Sequence, residues 1–138
     1  MTVLDAYALI AFLIGGPAAA QVRAILREGN AVVATANVAE VLDVSSRVHG
    51  VSIRQTMEVL APLLDGPLHV VGLDLTVARR AAEIRAEHYH RSARPISLAD
   101  AVLLASANPA DRIATADPDV LAVAEAERIE TLRLPAQG

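Results

Sequence analysis

Four acidic side chains stand in otherwise apolar company: Asp5 in VLDAYA, Glu40 in NVAEVL, Asp100 in SLADAVLLA and Asp117 in IATADPD. The chain carries 16 Asp and Glu residues, and most of the others have polar neighbours. Carboxylates gathered in apolar surroundings repel one another and lose hydration, and a divalent cation relieves both costs. An all-oxygen donor set suits Mg²⁺ or Mn²⁺, which keep several waters and need only a few carboxylates. The chemistry that follows is phosphodiester hydrolysis. A bound cation lowers the pKa of a water, aligns it for attack, and stabilises charge on the leaving oxygen. The chain has no cysteine, so thiolate centres and disulfides are excluded.

A structural explanation competes at each position. Asp5 and Asp117 follow runs that read as strands and precede helices, so either can serve as an N-cap, with Pro118 at the first helical position. Asn37-x-x-Glu40 and Ser97-x-x-Asp100 have capping-box spacing, which places Glu40 and Asp100 at N3. Capping accounts for each acid singly. It does not require all of them to meet at one edge of a sheet.

The order of elements predicts that meeting. Apolar patterning gives strands at residues 3–4, 31–35, 68–73, 112–116 and 129–134. Helices are expected at 8–14, from Pro17 up to Gly29, and at 37–49, 52–64, 75–90, 97–107 and 118–127. On the helix at 75–90, Arg79/Glu83 and Glu87/Arg91 have the spacing of i,i+4 ion pairs. Strands that alternate with helices, each strand apolar throughout, indicate a single α/β domain over 1–138, with a central, mostly parallel sheet of four to five strands covered on both faces. Ligands bind such sheets outside the carboxyl ends of the strands. Asp5 and Asp117 end the first and fourth strands, and Glu40 opens the helix after the second. Asp100 opens the helix that leads into the fourth, so its start can hang over the same edge.

The segments TVLDAYALIAFL, TANVAEVL, ISLADAVLLASA and IATADPDVLAVA follow one another as the motif blocks of PIN domains do. In order and spacing the set resembles the small VapC toxins, from Thr2 to about Leu134. The resemblance implies a PIN-like three-layer α/β/α fold and an Mg²⁺- or Mn²⁺-dependent endoribonuclease, the toxin of a type II toxin–antitoxin pair. It implies that Asp5, Glu40, Asp100 and Asp117 are the acidic quartet that binds the metal and serves catalysis. Asn37 matches a polar residue before the Glu, and Thr115 the hydroxyl residue before the last Asp. Asp119 is a second candidate for the fourth acid, although Asp117 lies closer to the strand end. One position departs from the pattern: many relatives carry Ser or Thr two residues after the first Asp, where this chain has Tyr7. A VapB-type antitoxin and a homodimer are further expectations of the resemblance.

The formal net charge is −4, so contact with RNA must rest on metal ions or local arginines. Arg91 and Arg94, just before Ser97, are candidates for RNA phosphate contact. All 12 basic residues are arginine, which together with abundant alanine matches the coding bias of a GC-rich genome. The apolar run 6–14 is too short to span a bilayer and lacks a basic flank, so a soluble cytoplasmic protein with no membrane partner is expected. His88 and His90 form an H-x-H near a helix end, where i,i+2 side chains point apart.

Two other functions compete. A phosphatase on a doubly wound sheet wants D-x-D after the first strand, but Ala6-Tyr7 follows Asp5. A phospho-acceptor domain wants an Asp after the third strand in the right context and a late lysine, and the chain has no lysine. A non-catalytic interaction module, its acids pairing with a partner's arginines, is the third reading.

Overall fold

The computed structural model describes residues 1–137. Twelve elements follow in order: β1 (Thr2–Leu4), α1 (Ala6–Ile14), α2 (Ala19–Glu28), β2 (Ala31–Ala34), α3 (Thr35–Arg47), α4 (Ile53–Leu64), β3 (Leu68–Val71), α5 (Leu75–His88), α6 (Leu98–Ala105), β4 (Arg112–Thr115), α7 (Pro118–Ala126) and β5 (Glu130–Arg133). The five strands form one sheet in the order β3-β2-β1-β4-β5, and every pairing is parallel.

Side chains alternate across a strand, and here the alternation builds two cores. Val3, Val32, Ala34 and Ile113 point to one face and pack among Ala81, Ile84, Leu103, Leu104 and Val123 of α5, α6 and α7. Leu4, Ala31, Val33 and Ala114 point to the other, among Leu9, Val22, Ile25, Val41 and Leu60 of α1 to α4. The central strands are therefore apolar on both faces, and the result is a three-layer α/β/α sandwich. Burying one such Leu or Val contributes roughly 1.5–3 kcal/mol.

Two expectations from the sequence need correction. The strands are not all apolar throughout: β5 exposes Glu130, Thr131 and Arg133, and β3 exposes His69 and Val70. Both are edge strands, where one side has no neighbour and the faces need less cover. Glu40 is not at N3. The helix starts at Thr35, capped by Ala34 without a side-chain bond, so Glu40 lies beyond the first turn.

The site is positioned by the connection at the carboxyl end of β1. Asp5 has extended backbone and accepts from Ala8, so the chain turns at once into α1. That helix stops where Gly15 takes a positive φ of 82°, a conformation L side chains rarely adopt. No single helix among the described residues is long and apolar enough to cross a membrane.

Candidate active site

From β1 the chain reaches its neighbours β2 and β4 in opposite directions, so the crevice between β1 and β4 is a topological switch point. Asp5 leaves β1 there and Asp117 leaves β4. Glu40 on α3 and Asp100 on α6 reach the same place, and the four side chains line one pocket of about 300 Å³ with Asn37, Tyr7, Ala116, Ala136 and Gln137.

Three of the four acids hold helix starts, each through one oxygen. Asp5 accepts from the Ala8 N–H through Oδ1 at 2.8 Å. Asp117 accepts from the Asp119 N–H through Oδ1 at 2.8 Å. At the start of α6 the Asp100 N–H donates to Ser97 Oγ at 3.0 Å, and the Ser97 N–H donates to Asp100 Oδ2 at 3.0 Å. In Asp100 and Asp117 the cap fixes the rotamer and leaves the other oxygen without a protein partner among the described residues. Glu40 is held differently, by an Asn37 Nδ2 contact at 3.4 Å.

Electrostatics mark three of the four. Asp5 is 8% exposed, and burial pushes its carboxyl up to about 6; the Thr115 hydroxyl and the Ala8 N–H pull down, while Asp100 and Glu40 add to the rise. Burial also raises Glu40, Asn37 lowers it, and the charges of Asp100 and Asp43 raise it. Burial raises Asp100, its bonds to Ser97 lower it, and Asp117 and Asp119 raise it. None of these shifts has a basic group among its causes. Among the described residues no basic side chain lines the pocket, which is a concentration of negative charge.

Thr115 is fully buried and its Oγ1 accepts from the Asp117 N–H at 3.1 Å, so one hydroxyl links both strand-end aspartates. Asn37 is 1% exposed, and its Oδ1 is buried with no hydrogen-bond partner among the described residues. A buried acceptor without a donor is costly, and a cation or its water at this pocket would satisfy it. An orphaned carbonyl oxygen beside carboxylates alone fits a hard, oxygen-seeking ion.

The other candidates divide. Asp119 does not line the pocket; its Oδ1 faces Arg94 Nε at 3.6 Å, so Asp117 is the fourth pocket acid. Arg94 Nε is buried without a hydrogen-bond partner among the described residues, and Arg91 is exposed in the loop before α6. The Tyr7 hydroxyl donates to the Pro135 carbonyl at 2.6 Å. That bond holds Ala136 and Gln137 as a wall of the pocket, a contribution that no local sequence signal announces. His88 and His90 have separate partners, though not as i,i+2 helix positions, since α5 ends at His88: His90 Nδ1 accepts from the Ser92 and Ala93 N–H groups, while His88 meets Glu127.

A PIN-domain family model matches residues 2–126. The chain belongs to the PIN-domain family. Its members are typically nucleases. No curated protein sequence matches the chain closely enough to compare. Among solved structures, it is similar to FitAcB from Neisseria gonorrhoeae, at 23% identity and a TM-score of 0.70, over 96% of this chain and 97% of that one. It is also similar to a toxin–antitoxin complex from Klebsiella pneumoniae, at 17% identity and a TM-score of 0.55, over 95% of this chain and 83% of that one. At these identities the likeness is one of fold.

Proposed function

We propose that this PIN domain is a divalent-metal-dependent endoribonuclease and the toxin of a toxin–antitoxin pair. The observation that carries the reading is the pocket itself. Carboxylates from four separate elements converge at the switch point, and three of them are held above their usual range. A fold needs no such convergence for its stability.

Asp5, Glu40, Asp100 and Asp117 would hold Mg²⁺ or Mn²⁺, with the Asn37 oxygen accepting from a coordinated water. When bound, the cation supplies an activated water and charge stabilisation at the phosphodiester. The chain's own residues do the rest. The caps at Ala8, Ser97 and Asp119 fix three carboxylates before substrate arrives. Thr115 keeps the two strand-end aspartates in register. Arg94 and the exposed Arg91, beside Asp100 in the chain, would receive RNA phosphates and offset the net charge of −4.

The neighbour from Klebsiella pneumoniae is a toxin–antitoxin complex, which supports a partner for this chain too. A pocket rich in carboxylates, with no basic side chain lining it among the described residues, suits an arginine from a VapB-type antitoxin, the same complementarity that suits metal. The deciding experiment is cleavage of an RNA substrate by purified protein with Mg²⁺, with Mn²⁺ and with EDTA. Cleavage restored by either cation and lost in Asp100→Asn is expected. Cleavage indifferent to EDTA would remove the metal reading, and labelling of the protein by a phosphoryl donor would favour the phosphatase reading.

A further inference from the structure

Away from the pocket, Glu87, His88 and Glu127 bring three ligand atoms within 4.8 Å of one another. We propose that these residues form a second cation site, selective for a borderline ion of the Zn²⁺ class rather than for Mg²⁺. It stands apart from the nuclease reading.

Three observations support it. His88 Nε2 lies 3.0 Å from Glu127 Oε2 and 3.9 Å from Glu87 Oε2. Tetrahedral ligands at zinc bond lengths of about 2.0–2.1 Å sit roughly 3.3 Å apart, so small side-chain rotations complete three positions and leave water the fourth. The imidazole is the donor that separates this site from the all-oxygen pocket, because nitrogen ligands favour zinc over magnesium.

The second observation is the helix termini. His88 is the last residue of α5, and Glu127 is the C-cap of α7. Two helix C-termini meet here, and each carries partial negative charge that favours a cation. The third is the lack of arginine. Arg91, expected to pair with Glu87 at i,i+4, lies beyond the end of α5 and makes no ion pair with it among the described residues. Arg85 is engaged elsewhere, its Nε donating to the Ile96 carbonyl at 3.2 Å and its guanidinium 4.3 Å from the Tyr89 ring centre. One imidazole, 14% exposed, is left to face two carboxylates.

An ion here would fasten the end of α5 to the end of α7. The segment between α5 and α6 is already tied to the start of α7 by Arg94 and Asp119. The loop that carries both arginines would then be held at both ends.

The test is calorimetric titration of the full, untagged chain with Zn²⁺ in excess Mg²⁺, which competes for all-oxygen sites, with Asp5→Asn reporting any Zn²⁺ taken up by the acidic pocket. One Zn²⁺ per chain is expected. Glu87→Gln and His88→Gln should each weaken it by more than about tenfold, because even outer-shell partners of a metal carry that much. Glu87 is 70% exposed, so its variant folds regardless. Asp5→Asn should leave the Zn²⁺ affinity unchanged. No heat of binding, wild-type affinity in both cluster variants, or loss in Asp5→Asn would overturn the proposal and leave a plain His88–Glu127 hydrogen bond.

Discussion

Asp5 and Asp111 are each 8% exposed and each flanks a central strand, yet they live in opposite company. Asp111 precedes β4 at the amino edge of the sheet. Its Oδ1 meets the Met1 ammonium at 3.0 Å, and its Oδ2 accepts from the Asn108 N–H at 2.9 Å. Asp5 follows β1 at the carboxyl edge, where its charged neighbours are Asp100 and Glu40. Equal burial therefore says little about role. A buried carboxylate paired within the fold closes a structural account, whereas one left among its own kind is where a ligand is to be sought.

The sharpest way to break this contrast is activity. Asp100→Asn keeps an oxygen for the Ser97 cap but removes a charged ligand. RNA cleavage should fall by at least about 100-fold, above the cost of disturbing an outer-shell partner. The far-UV circular dichroism should not change. Asp111→Asn, the control at the other edge, should leave cleavage per folded molecule untouched. Equal losses in the two variants would mean that the pocket acids act only through stability.

The next effect is a pH dependence of metal-free stability. Asp5 is raised to about 6 in the fold from an ordinary 3.8, so the folded state holds its proton more tightly than the unfolded state. Its contribution is complete below the unfolded value and is lost as pH rises through the folded one. Denaturation midpoints in EDTA should fall between about pH 4 and 6, by up to about 3 kcal/mol, since one pKa unit is worth about 1.4 kcal/mol. Asp5→Asn should flatten that slope, and Mg²⁺ at neutral pH should recover stability in the wild type more than in the variant. Asp111→Asn, at neutral pH, should lower stability instead by losing the Met1 contact. That loss is about 1 kcal/mol, because the ammonium it pairs with is half exposed and partly screened.

These two carboxylates also show what was readable in advance. Asp5, Asp100 and Asp117 were legible because strand, cap and acid are all local signals, and parallel topology then places them at one edge. Glu40 was assigned to the right pocket for a wrong local reason. Thr35 is β-branched and reads as the last residue of a strand, but the chain turns into α3 there, and the cap position shifts with it. Asp111 carried no signal, because its partner is the first residue of the chain. The same limit hides the remaining features. Tyr7 meets Pro135, and His88 meets Glu127, across separations that no periodicity encodes. The exposed face of β5 disguised how firmly the tail is seated, since the anchor is Leu134, 2% exposed just past that strand.

The smallest effect concerns that tail and refines the contrast rather than breaking it. Leu134 is buried, and its N–H donates to the Thr115 carbonyl at 2.9 Å, so β5 leads the chain directly over the end of β4. One residue later the Tyr7 hydroxyl takes the Pro135 carbonyl, and Ala136 and Gln137 close the pocket wall. Tyr7→Phe keeps the ring and removes that one bond. Stability should drop by only about 0.5–1 kcal/mol, the net worth of a single hydrogen bond. The carboxylates and their caps are untouched by it. The turnover number should hold while KM for RNA changes, and hydrogen exchange should quicken at 136–137 and not at Leu134. A fall in turnover with KM unchanged would instead place the Tyr7 hydroxyl among the groups that act on the reacting phosphate, and the wall would be incidental.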